Sequence, residues 1–269
     1  MNKLKLFIFI SIVTLYFTIN NIIACPTDEK SLQKAQQVWE KAITAIGGRE
    51  RVLDIKNLLY FDKKKTVVSL DVFPDKFWYW RKDRQPIGTS VLTYDFSKNI
   101  AYDIKDDKHP FSYPLTNQTK ESILAGKVMS LLETKSVKPK LLGYESTKIN
   151  NQEYDVICTE ITYPDNQKDQ KQETMSVDYI FDQGTHLLFR SVWNFDKSIG
   201  GGYWAIEYSN YTEVKGIKFA SKIRSKHHYE RDWTDFIEYT TEVDVDYRQD
   251  LFDKPPLIKD GPDGWKKKP

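Results

Sequence analysis

The 269-residue sequence has few reactive side chains, with only 2 Cys and 4 His. Two cysteines make no disulfide framework, and no Cys/His cluster has the spacing of a zinc site. An excess of one charge is missing too. Lys+Arg number 40 against 38 Asp+Glu, and Lys3 with Lys5 carries the whole +2, so nothing here attracts nucleic acid electrostatically. No apolar run reaches membrane-spanning length, the longest being Leu6 to Ile19, 14 residues against the roughly 18 required. The sequence also lacks a nucleophile elbow, a dinucleotide fingerprint and a phosphate loop. Gly200-Gly201-Gly202 has no Lys-Ser/Thr pair after it and reads as a hairpin tip. These absences argue against an enzyme and imply no cofactor.

Apolar surface is what the chain has in quantity. Forty per cent of residues are hydrophobic, with 7 Trp, 16 Tyr and 14 Phe, at a mean hydropathy of −0.58. That supply excludes a disordered chain, and the overall polarity excludes a polytopic membrane protein.

Residues 1–24 have signal-peptide anatomy: Lys3 and Lys5, the apolar run, then Asn20-Asn21-Ile22-Ile23-Ala24 before Cys25. The mature protein is therefore expected to be exported and not integral. Ile22-Ile23-Ala24-Cys25 looks like a lipobox, in which Cys25 is acylated and anchors the protein to a membrane. Asn21 departs from that pattern. The alternative is ordinary cleavage after Ala24, which leaves Cys25 free to pair with Cys158.

Apolar residues at 32, 35, 38, 39, 42, 43 and 46 predict an amphipathic helix over about 29–46, closed by Gly47-Gly48. Ile123, Leu124, Val128, Met129, Leu131 and Leu132 predict a second. Almost everything else alternates, as in Val68, Leu70, Val72 and in Met175, Val177, Tyr179, Phe181, with turn residues between. Ten or eleven strands and two helices, without βαβ alternation, predict a mainly β (α+β) fold. The expected form is a large curved antiparallel sheet, an unclosed β-barrel with the helices on its concave side. Residues 25–252 read as a single domain. The tail 253–269, with Pro255-Pro256, Gly261-Pro262 and three terminal lysines, reads as loosely ordered.

Several local patterns resemble one family. They are the first helix ending in Gly47-Gly48, the strand pair around Val72-Phe73-Pro74-Asp75-Lys76 and the hairpin Tyr179 to Leu188. Tyr211 to Phe219 and Asp250-Leu251-Phe252-Asp253-Lys254-Pro255 continue the series. In this order they look like bacterial outer-membrane lipoprotein-sorting and carrier proteins (LolA/LolB-like) through nearly the whole mature chain. The resemblance implies an unclosed antiparallel barrel around an apolar cavity that in carrier members receives lipoprotein acyl chains. It implies the periplasm or outer membrane of a Gram-negative bacterium, and a lipid or lipoprotein acyl chain as partner. Displacement of the helix near Ile123 to Leu132 would release the ligand. No carrier arginine is matched to a position here. A structural or sensory envelope protein that uses the same sheet for protein contact is the alternative.

The expected cavity lining is aromatic: Trp78, Trp80, Trp193, Trp204, Tyr208 and Trp233, since broad aromatic walls hold flexible apolar ligands without directed polar groups. Each has ordinary core packing as its alternative. Phe77 and Tyr79 alternate with Trp78 and Trp80, so both faces of that strand are apolar and one must meet a helix, a ligand or a partner. His227-His228-Tyr229-Glu230-Arg231-Asp232 collects metal-ligand types, but neighbours on a strand point to opposite faces and do not share an ion. No metal site and no catalytic residue is expected.

Overall fold

Among the described residues, thirteen antiparallel strands in one continuous order dominate the architecture. A computed structural model describes residues 25–82, 88–105, 111–114, 131–135, 137–162, 174–194 and 201–267. The signal-peptide expectation for residues 1–24 lies outside these, as does the helix expected near Ile123 except for Leu131 and Leu132, both buried.

One meander contains β1 (Asn57–Asp62), β2 (Val67–Val72), β3 (Lys76–Lys82), β4 (Thr89–Asp95), β5 (Ile100–Lys105) and β6 (Phe111–Pro114). A second contains β7 (Lys140–Ile149), β8 (Gln152–Thr162), β9 (Thr174–Asp182), β10 (Leu188–Asn194), β11 (Tyr203–Val214) and β12 (Ile217–His227). The last strand, β13 (Ile237–Val243), lies between β1 and β12 and joins them, so the sheet runs from β6 at one edge to β7 at the other without closing. This is the unclosed antiparallel barrel expected from the alternation, with two or three more strands than its count. The turn residues do what their types allow. Asn150 and Asn151 take φ of 50° and 66° between the paired Ile149 and Gln152, and Lys215-Gly216 does the same between Val214 and Ile217.

Helix α1 (Glu29–Ile46) has the expected bounds. The Asp28 carboxylate caps it by accepting from the Ser31 N–H at 2.9 Å, and Ala35, Val38, Trp39, Ala42, Ile43 and Ile46 form its buried stripe. The stripe packs on the concave face, where the Trp39 ring meets Tyr179 and Phe181 edge-on at 5.3 and 6.0 Å. At the helix end, Gly47 has φ 137°, and a Cβ there would stand 2.4 Å from the Gly216 carbonyl. Only glycine lets the helix end meet the β11–β12 turn so closely. The six-residue α2 (Arg49–Asp54) follows; it is too short for its period to show in sequence.

One open choice is decided and one expectation is corrected. Cys25 is disulfide-bonded to Cys158, with Cα atoms 5.9 Å apart. A sulfur used in that bond carries no thioether, so of the two readings open at Cys25 the structure has the cross-link, which pins the start of α1 to β8. Gly143 makes room for it, since a Cβ there would lie 2.1 Å from the Pro26 carbonyl. The segment after residue 252 is not loose. Short 3-10 turns at Gln249–Phe252 and Ile258–Asp263 lay Leu251, Phe252 and Trp265 over the convex face of β1 to β4, against Leu59, Leu70, Trp78 and Trp80. Burying these side chains outweighs the proline and lysine content that suggested a solvated tail.

Candidate functional site: a cavity beside the last strand

Strand alternation places the two largest apolar clusters on opposite faces of the sheet. On the concave side, α1 fills the part facing β7 to β10 and leaves a cavity of about 330 Å³ where β11, β12, β13 and β1 curve away from it. Trp204, Ile206 and Tyr208 supply one wall, alternate residues of β11. Ile237, Tyr239 and Thr241 of β13, with Leu58 and Tyr60 of β1, supply the opposite one. Ile46 and Leu132 form part of its boundary on the helix side. Tyr211 also reaches in, three residues beyond Tyr208 instead of two, because Asn210 between them takes φ +51° and breaks the alternation.

The four lining phenols are neutral and mostly occupied. The Tyr211 hydroxyl donates to the Leu188 carbonyl at 2.6 Å, and that of Tyr60 to the buried Asp71 carboxylate at 3.3 Å. Tyr208 shares a hydrogen bond with Ser191, whose hydroxyl also accepts from the Trp193 indole at 3.3 Å. Burial pushes Tyr60, Tyr208 and Tyr211 above the ordinary phenol range, and burial with the neighbouring Tyr79 and Asp62 pushes Tyr239 up to about 12. Among the described residues no carboxylate lines the cavity, and the charged lining residues are Lys218 and Arg224.

Of the six aromatic residues expected to line a cavity, Trp204 and Tyr208 do so. Trp193 stands behind them, 2% exposed, its ring 5.8 Å from Trp204, and is core. Trp78 and Trp80 face the other way, into the convex cluster under the C-terminal segment. This resolves why both faces of β3 are apolar: the Trp face meets the tail, and Phe77 packs with Tyr94 on the other side. Trp233 also lies outside the cavity. Its ring is approached by the guanidinium groups of Arg190 and Arg224 at 5.1 and 5.0 Å, and both arginines bond the buried Glu207 set between them in register. The alternation of β11 shows that Trp204 and Glu207 face opposite sides, but only the fold shows which side is hollow.

His227 and His228 are engaged in ring contacts. His227 stacks between Trp204 and Tyr229, with centroids 5.4 and 5.2 Å away, and His228 meets Tyr229 edge-on. Among the described residues no group of three or more His, Cys, Asp or Glu is placed to hold a metal ion.

One polar constellation borders the cavity that sequence reasoning missed. Glu133, 3% exposed, accepts from Arg49 Nε and Nη2, each at 2.9 Å, and from the Trp39 indole at 2.8 Å, while Arg49 also holds Glu40. Burial pushes the Glu133 carboxyl up, but the Arg49 and Trp39 hydrogen bonds outweigh it and hold the group below the usual range. This fixes Leu132, which has φ 62° and lines the cavity, at the end of α1. Arg49 and Glu133 are 84 residues apart, so no local pattern announces the pair.

The chain matches no protein-family model and no curated protein sequence. Among solved structures it is similar to a LolA superfamily protein of Nitrosomonas europaea, at 13% identity and a TM-score of 0.47, over 82% of this chain and 97% of that one. It is similar also to a DUF1329 family protein of Desulfovibrio piger, at 12% identity and a TM-score of 0.37, over 81% and 96%. LprF of Mycobacterium bovis is a third, at 13% and 0.28, over 70% and 94%. These are likenesses of fold and carry nothing about ligand. No helix among the described residues is long and apolar enough to cross a membrane.

Proposed function

We propose that this is an exported binding protein of the bacterial envelope that holds a lipid or an acyl chain, and that it performs no chemistry on it. The cavity carries this reading: it is walled by aromatic and aliphatic side chains, its volume lies at the lower end of the range for small-molecule sites, and no carboxylate among the described residues lines it. The cavity is also elongated. Lining residues run from Lys218 to Ser225 along β12, a rise of about 23 Å at a strand's ~3.3 Å per residue. A membrane acyl chain spans about 15 Å, half of a bilayer's ~30 Å hydrocarbon core, and fits that length. Each methylene moved from water into such a wall contributes roughly 0.8 kcal/mol, so retention needs no directed polar contact. A concavity filled by side chains would favour the protein-contact alternative; the described residues leave about 330 Å³ open in this one, which supports the lipid reading. The disulfide suits an oxidising, exported setting.

The test is native mass spectrometry of the protein exported by its own host and purified without detergent, with extraction of bound species. A stoichiometric acyl-containing ligand is the expected result. A protein that comes out empty, and stays empty when fatty acid or phospholipid is offered, overturns the reading and returns the sheet to protein contact.

A further inference from the structure

The cavity touches β12 in an unusual way. Residues of a paired strand face alternate sides, so a cavity on one side meets every second residue. β11 and β13 obey this, but β12 presents two consecutive triplets, Lys218-Phe219-Ala220 and Ile223-Arg224-Ser225. A strand lined at successive residues is met edge-on, and at Lys218-Phe219-Ala220 the register explains why; Ile223 is paired and Ser225 is bonded to Thr234. β12 pairs with β13 only at Lys222↔Glu238 and Ile223↔Ile237, although both strands continue. Extended pairing would set residues 217–221 against 239–243. Instead β13 gives those residues to β1 alone, and β12 gives its own to β11. The barrel wall therefore has a seam five residues long, about 17 Å at ~3.4 Å per residue, slightly longer than the ~15 Å of a membrane acyl chain.

Ion pairs cross the seam at both ends. Lys222 meets Glu238 at 3.1 Å, and Lys215 meets Asp244 at 3.8 Å. Lys218 lies between them, exposed and lining the cavity. Continued pairing would put Glu242 opposite Lys218 and β11 sets Glu213 beside it, yet Lys218 has no ion-pair partner among the described residues.

We infer that the seam between β12 and β13 is a lateral port, through which a single-chain amphiphile enters broadside and leaves an anionic head at Lys218. This rests on the lipid reading above and adds to it the route and the charge of the ligand. The unpaired strand edges give the seam its slot shape, and an ammonium without an ion-pair partner or a lining carboxylate among the described residues selects an anionic head over a neutral or cationic one.

The experiment uses the full mature protein loaded with cis-parinaric acid, a fluorescent long-chain carboxylate, which palmitate or hexadecyltrimethylammonium then displaces. The parent should prefer palmitate. Lys218→Glu, a change at an exposed position, should weaken palmitate roughly tenfold and tighten the ammonium. Ala220→Trp, which narrows the slot, should slow stopped-flow uptake of cis-parinaric acid roughly tenfold; circular dichroism of each variant checks the fold. An unchanged palmitate-to-ammonium preference in Lys218→Glu overturns the head assignment, and unchanged uptake in a folded Ala220→Trp overturns the port. A parent that binds neither probe overturns the lipid reading itself, and the port with it.

Discussion

Asp178 is a carboxyl that the fold keeps at a cost. It lies on β9, 4% exposed, with the Asn194 amide donating to it at 3.1 Å, and burial pushes it up from 3.8 to about 6. Between those values the native state binds the proton and the unfolded state does not, so stability falls as pH rises through the window and stays low above it. The penalty at neutral pH is on the order of 2–3 kcal/mol. Asp178→Asn keeps the shape and removes the titration, so the variant should melt above the parent at pH 8, with the gap closing near pH 4. An equal gap at both pH values, read by calorimetry, would rule the linkage out. Glu133 has the opposite sign. Its lowered value adds stability that is complete above the ordinary 4.5 and is lost as pH falls through its folded value. Arg49→Ala leaves the buried Glu133 carboxylate with the Trp39 indole as its remaining donor among those described above. A loss of about 2–4 kcal/mol in urea unfolding at pH 7 is expected, with a smaller loss at pH 4.

Elements differ in how far local sequence describes them. α1 was legible in its bounds because its stripe from Ala35 to Ile46 and its Gly47-Gly48 end agree with the fold, although Leu32, counted in that stripe, is exposed. The hairpins were legible at their turns, where Asn150-Asn151 and Lys215-Gly216 supply the positive φ required. The C-terminal segment was not, because Leu251, Phe252 and Trp265 follow neither a helical nor a strand period and are buried by strands some 160–200 residues earlier. The attachment of α1 was legible only as an alternative, since two cysteines 133 residues apart do not announce their separation in space. That cross-link closes a long loop, and its loss should destabilise the fold by about 2–4 kcal/mol. Replacing both Cys25 and Cys158 with Ser should lower the melting temperature. Thiol reductant should lower that of the parent to match and leave the double variant unaffected; a reductant effect on the double variant would mean that the cross-link is not what is being read.

At the scale of the whole molecule, the two largest apolar clusters on one sheet have different tasks, and sequence alternation reports that two faces exist without saying which encloses space. The convex cluster is filled by the chain's own tail. The concave one is filled by α1 only in part, and the remainder is the cavity. That division makes the two halves of the expected aromatic set behave oppositely. Trp204 is partly exposed on the cavity wall, where a carboxylate can reach water, so Trp204→Glu should leave the fold largely intact and reduce retention of a bound fatty acid roughly tenfold or more. Trp80 is 6% exposed beneath Phe252 and Trp265, where a carboxylate has no partner, so Trp80→Glu should cost about 3–5 kcal/mol and release the tail to protease. Fatty-acid retention and limited proteolysis, measured on both variants, check the assignment together. Loss of retention in a stably folded Trp80→Glu with an unaffected Trp204→Glu would place the ligand on the convex face, under the tail.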